Sequence, residues 1–169
     1  MRERLRDAQG LTLTEVMVVL VLAAIIMSGL VAFYLNAQSV WFSGSSKVIA
    51  QREVSLVMKS ISDRTRAARL ALVTASPDAD HSKLWLYPPL GVTNDSTYCY
   101  WYSSADTLLH EGYPYPTLVD RGPMLGTKVE RFQVSASSNG TFMTIASLRV
   151  RTAQGDRVDM STAAAVENP

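Results

Sequence analysis

The sequence predicts an α+β chain, with one long N-terminal helix laid on an antiparallel β-sheet. Three observations predict it. Residues 16–35 are an uncharged apolar run, and residues 36–72 hold no proline and carry an apolar stripe at helical spacing. After Pro77 the texture changes to short alternating segments separated by turn residues. The 169 residues suit one domain plus an anchor. A net charge of +1 provides no global field toward nucleic acid or an acidic partner. The single cysteine, Cys99, excludes an intrachain disulfide and reads first as a small core residue. His81 and His110 cannot make a zinc site without carboxylate ligands.

The run Val16–Leu35 is apolar on every helical face. At about 1.5 Å per residue it extends roughly 30 Å, the thickness of a bilayer core. A soluble core helix rarely needs apolar residues all round. Arg2, Arg4 and Arg6 precede the run and are expected to stay cytoplasmic, which places the rest of the chain periplasmic or extracytoplasmic. A secretory signal peptide shares the basic start and apolar core, but its cleavage site follows the core. Here Asn36-Ala37-Gln38 makes a poor site, and the small residue, Gly10, stands before the core.

Glu15 lies at the edge of the apolar run, five residues after Gly10. A carboxylate at bilayer depth costs on the order of 2.5–3.5 kcal/mol, so its partner needs naming. A cut after Gly10 would give Leu11 a free α-amine one helical turn from Glu15. In an assembly, the amine of one subunit then pairs with the glutamate of the next. Alternatively Glu15 is a helix-start acid favoured by the macrodipole. Both readings stand on the residues alone.

Gly10-Leu11-Thr12-Leu13-Thr14-Glu15, followed by Val16-Met17-Val18-Val19-Leu20, resembles the processing signal of type IV prepilins and type II secretion pseudopilins. The resemblance implies cleavage by prepilin peptidase between Gly10 and Leu11, N-methylation of Leu11 and an assembly role for Glu15. It also implies other pilin or pseudopilin subunits and an inner-membrane assembly platform as partners; the residues themselves lead to an expectation of no cofactor and no metal site. Leu11 stands where phenylalanine or methionine is commoner, and Thr14 replaces an aliphatic residue. Both departures suggest a minor subunit. Ala32 stands where many major pilins carry a proline. The presence of Glu15 argues against the tip pseudopilin that lacks it. The expected organisation is a leader over 1–10, a transmembrane helix over 11–35, its continuation over 36–76 and a β head over 77–169.

Val54, Val57, Met58, Ile61, Thr65, Ala68 and Leu72 recur at spacings of three and four, while Lys59, Asp63, Arg64 and Arg66 lie off that stripe. Ser43-Gly44-Ser45-Ser46 are weak helix formers and mark an expected bend or soft spot. Gly29 is a second weak point or a place for close helix packing. Strands are expected at Leu84–Tyr87, at Thr97–Tyr102 paired with Leu108–Tyr113, and as three consecutive antiparallel strands from 128 to about 163. Tyr113–Pro116 and Gly122-Pro123 read as loop. In residues 141–151, Phe142, Ala146, Leu148 and Val150 are expected to share one face, with Arg149 and Arg151 on the other. Order and pattern are similar to the heads of PilW-type minor pilins and J-type pseudopilins. The carrying features are the basic helix end Ser60–Arg69, the final strand pair and the closing Val158–Ala163.

The chain has no G-x-S-x-G, phosphate loop, H-E-x-x-H or C-x-x-C pattern, so it is read as no enzyme. Asp156 and Asp159 are a thin calcium site, because calcium takes six to eight oxygens, and strand-end solvation is preferred. Arg64, Arg66 and Arg69 are spread round a helix, so a solvated face or subunit salt bridges are preferred to a DNA-binding stripe. Tyr98, Tyr100 and Tyr102 are expected on one strand face with Cys99 and Trp101 on the other, serving core and interface. The competing class is a signal-anchored binding protein for DNA or a surface ligand.

Overall fold

The computed structural model describes residues 12–75, 80–89, 98–113 and 118–167. They form one helix, α1 (Leu13–Ala67), and eight strands: β1 (Leu70–Ala75), β2 (Ser82–Tyr87), β3 (Tyr98–Ser103), β4 (Leu108–Tyr113), β5 (Val119–Pro123), β6 (Lys128–Ala136), β7 (Phe142–Arg151) and β8 (Arg157–Ala165). The expected α+β class is borne out. The chain divides into two units, Met1–Phe42 and Ser43–Pro169.

In the first unit, α1 is solvent-facing all round, and every described residue is exposed. It is the one described helix long and apolar enough to cross a membrane, and none of its most apolar stretch is buried. A core helix of a soluble domain would bury that stretch. Among the described residues, nothing stands within 4 Å of the place where a side chain at Gly29 would begin.

In the second unit, α1 buries Ala50, Val54, Val57, Met58, Ile61 and Thr65, which includes the stripe read from the sequence as far as Thr65. These meet Leu84 and Leu86 of β2, Tyr100 of β3, Leu109 of β4 and the inner residues of β6, β7 and β8 in one core. Each buried aliphatic side chain there contributes about 1.5–3 kcal/mol. Ser43–Ser46, expected to bend or soften, remain helical. The boundary between the two units nevertheless falls at Ser43.

The helix is shorter than expected. It ends at Ala67 rather than at residue 76, and Leu70–Ala75 is already a strand. The Arg69 N–H, which would continue the helix, donates instead to the Tyr87 carbonyl at 2.8 Å. Strand pairing of β1 with β2 captures the rest of the segment. Leu72, assigned to the helical stripe, is consequently exposed on β1.

Two antiparallel sheets follow, one with order β1-β2-β3-β4-β5 and one with order β6-β7-β8. The β3–β4 pairing is as expected, as is the final three-stranded meander. β5 corrects the loop reading of Gly122-Pro123. As an edge strand it tolerates Pro123 at its end. Of the Tyr113–Pro116 segment read as loop, Tyr113 is instead the last residue of β4, and Pro114–Pro116 lie outside the described residues, as does Pro77.

β7 corrects a face assignment. Met143 and Ile145 point into the core at its start, Leu148 and Val150 at its end, while Phe142 and Ala146 are exposed. The β7–β8 register shifts between Ile145 and Leu148, and such an irregularity exchanges the two faces of a strand. Simple alternation from Val150 backwards therefore fails beyond Leu148. At the β6–β7 turn, Gly140 has φ +68° and its carbonyl accepts the Ala71 N–H at 2.9 Å. This contact ties β1 to the second sheet.

Candidate functional site

Thr12 starts α1. Its Oγ1 accepts the Glu15 N–H at 3.3 Å, and its carbonyl accepts the Val16 N–H at 3.2 Å. Thr12-x-x-Glu15 is thus a helix start of the capping-box type, with the threonine half of the box formed. Glu15 lies in the first turn, where the macrodipole favours a negative charge. Its side chain is exposed and meets no cation among the described residues. The uncharged run begins at the next residue, Val16. Gly10 and Leu11, expected at the cleavage and methylation point, lie outside the described residues, as do Arg2, Arg4 and Arg6.

The head disperses the residues singled out as alternatives. Arg64 turns inward: its Nη1 pairs with Glu111 Oε1, donates to Tyr100 Oη at 2.8 Å, and its guanidinium lies 4.3 Å from the Tyr98 ring centre. Burial works against the Arg64 charge, but the bonds and charges of Tyr100 and Glu111 outweigh it and raise the pKa. Arg66 sits near Asp63 at 3.9 Å on the outer face, and Arg69 is half-buried. The three arginines form no common stripe.

Asp156 accepts the Ser43 hydroxyl at 2.5 Å and faces Lys47 at 3.8 Å. Asp159 accepts Arg149 at 2.7 and 3.0 Å and Ser147 at 2.8 Å. Burial opposes the Asp159 charge, yet these bonds hold its carboxyl below the usual range. Both acids are engaged with protein partners. No group of three His, Cys, Asp or Glu side chains that could hold a metal occurs among the described residues.

Tyr100 is fully buried, and Tyr98 and Tyr102 pack against the same core. Trp101 faces the other way, with its ring 5.7 Å from that of His110. Cys99 is buried, and burial pushes its thiol up to about 12, opposed by the charge of Lys83. It is a protonated core residue. His81 stacks on Tyr102 with ring centres 3.6 Å apart.

Sequence reasoning missed two groups in the head. Glu111 is a buried acid between Arg64 and Arg121, the latter at 3.6 Å. A signal existed: on β4, Glu111 shares its face with Leu109, so an inward acid required a cation. His110, set aside as a poor metal ligand, has a carboxylate at each ring nitrogen. Its carboxylates come from a turn and from the strand read as loop, so spacing alone gave no signal.

Residues 5–31 match the family model described as the prokaryotic N-terminal methylation motif. No curated protein and no solved structure matches the chain. The matched segment spans the residues around Glu15 and the start of the uncharged helix, and that helix continues into a head of antiparallel sheets. The chain therefore carries the prokaryotic N-terminal methylation motif at the start of an apolar helix long enough to cross a membrane, ahead of antiparallel sheets, and is type IV pilin-like in this arrangement.

Proposed function

We propose that the chain is a minor pilin or pseudopilin subunit that helps initiate or cap assembly of a type IV pilus or a type II secretion pseudopilus. Prepilin peptidase cuts between Gly10 and Leu11 and methylates the new amine of Leu11. The N-terminus is cytoplasmic before the cut, the span crosses the inner membrane once, and the head stands on the extracytoplasmic side. The leading half of α1 then joins a bundle of like helices at the assembly platform, with Glu15 pairing to the Leu11 amine of a neighbour. PilW-type minor pilins and J-type pseudopilins are the nearest subclass by pattern.

The observation that carries this reading is the methylation motif over residues 5–31 on a helix whose apolar stretch finds no cover among the described residues. Intact-mass measurement of the protein from cells with and without the peptidase tests it. The expected product begins at methylated Leu11 only when the peptidase is present. A chain still beginning at Met1 in both strains overturns the reading.

The second reading, an anchored head that binds DNA or a surface ligand, draws on Arg66, the exposed one among Arg64, Arg66 and Arg69. The full chain in detergent micelles, titrated with duplex DNA at low salt, separates the two. Salt-sensitive binding favours the second reading, and no retention removes it.

A further inference from the structure

We propose that His110, Asp106 and Asp120 form a proton-operated clamp that holds edge strand β5 and the Ser103–Leu108 turn against β4. The inference concerns the head alone and does not rest on the assembly role.

His110 projects from β4 and is only 7% exposed. Its Nδ1 lies 2.7 Å from Asp120 Oδ2 on β5, and its Nε2 lies 2.7 Å from Asp106 Oδ2 in the β3–β4 turn. Ionised carboxylates only accept hydrogen bonds, and a neutral imidazole has one donor and one acceptor. Both contacts are satisfied together only by the imidazolium. Turning the ring over changes nothing, because each nitrogen still meets a carboxylate. Neutral His110 instead sets a lone pair against one carboxylate, and that side of the clamp opens.

The surroundings leave these two acids as the groups that set the ring's charge. From β3 the ring meets Trp101, which does not titrate. Glu111, the next residue on β4, is engaged by Arg64 and Arg121. Burial alone would lower the His110 pKa, but the hydrogen bonds and charges of Asp106 and Asp120 raise it above the ordinary 6.5. A raised folded pKa means the contribution is complete below the unfolded value and is lost as pH rises through the folded one. Acid closes the clamp and alkali opens it.

What the clamp holds is weakly held otherwise. β5 is an edge strand with mostly exposed residues, and its register on β4 shifts between Glu111 and Gly112. Asp120 also accepts the Gly122 N–H at 2.7 Å through Oδ1, so its carboxylate shapes β5 as well as anchoring it. In the turn, Asp106 Oδ1 accepts the Leu108 N–H at 3.1 Å. Thr107, between them, holds φ +63°, a conformation that side chains other than glycine rarely adopt. The Thr107 carbonyl accepts the Val129 N–H at 2.8 Å, so the clamped turn also anchors the start of β6 in the second sheet.

The test is hydrogen exchange of the full chain in detergent micelles across pH, corrected for intrinsic exchange, with the His110 ring titrated by NMR. Protection over 119–123 should fall through the His110 titration, by about tenfold for each unit by which its pKa exceeds the unfolded value. β7 should show no such step. Asp120→Asn should lower the His110 pKa and remove the step over 119–123, and His110→Gln should make protection there independent of pH. Because Asp120 is half-exposed, its variant keeps the test open if His110→Gln fails to fold. A His110 pKa at or below the ordinary value overturns the clamp. So does protection over 119–123 that stays level through the titration in the unsubstituted protein.

Discussion

Arg64→Leu is the perturbation for which the structure gives the sharpest magnitude. The Glu111 side chain is 11% exposed and that of Arg64 29%. Removing the guanidinium strands a nearly buried carboxylate and takes the donor from Tyr100 Oη, itself fully buried. Breaking a buried ion pair from one side costs about 3–5 kcal/mol. Loss of one hydrogen bond to a buried hydroxyl adds about 0.5–1.5 kcal/mol. Arg121, 3.6 Å from the same carboxylate oxygen, offsets part of the loss, although it is half-exposed. The expected destabilisation is about 3 kcal/mol, or a fall in Tm of roughly 10 °C for a chain of this size. Urea unfolding of the full chain in detergent micelles, followed by tryptophan fluorescence, measures it. Replacing both partners, Arg64→Leu with Glu111→Leu, should recover most of the loss, because an apolar pair of similar volume no longer strands a charge. A single-variant cost below about 1 kcal/mol, or a double variant as unstable as the two losses added, would refute the buried-pair account.

Glu15→Ala should leave leader cleavage intact while impairing recovery of the subunit in sheared filaments; normal incorporation would sink the amine-pairing mechanism. Gly140→Ala should destabilise the head by about 1–3 kcal/mol, because φ +68° disfavours a side chain and the new Cβ would stand 2.9 Å from the Ala71 carbonyl oxygen. Thermal melting checks this, and an unchanged Tm would contradict it. Cys99 should resist alkylation in the folded protein and react on unfolding, since its thiol is buried and protonated at neutral pH. Rapid modification of the native chain would count against that placement.

The parts legible in the sequence are those set by local periodicity. The stripe Val54, Val57, Met58, Ile61 and Thr65 declared its face because the residues repeat with the helical turn, and each is buried. The aromatic strand Tyr98–Ser103 and its partner Leu108–Tyr113 declared themselves by composition and a short turn. The helix end did not, because what stops it is a carbonyl eighteen residues away, that of Tyr87, taking the Arg69 N–H. Nor did the inner face of β7, since a register shift at Ile145 leaves no mark in alternation. The polar pairs were hidden for the same reason. Arg64 with Glu111 and His110 with Asp120 are joined by tertiary pairing, and periodicity is silent about which strand lies beside which.

Glu15 presented two accounts, helix-start acid and assembly partner, and magnitudes relate them rather than choose between them. The macrodipole offers an exposed acid in the first turn about 0.3–1 kcal/mol. A carboxylate carried to bilayer depth costs on the order of 2.5–3.5 kcal/mol, so the dipole alone leaves a deficit there. At the edge of the span, with Thr12 closing the helix start and water within reach, the deficit is small and no partner is required. Packing the same helix among others removes that water, and the deficit returns unless a cation arrives with the neighbour. The proposed cut before Leu11 would supply one cation per subunit at the right end of the helix. On this account the acid is tolerated in the lone subunit and demanding only in the assembled one. Glu15→Ala should therefore spare anchoring and processing and fail at incorporation.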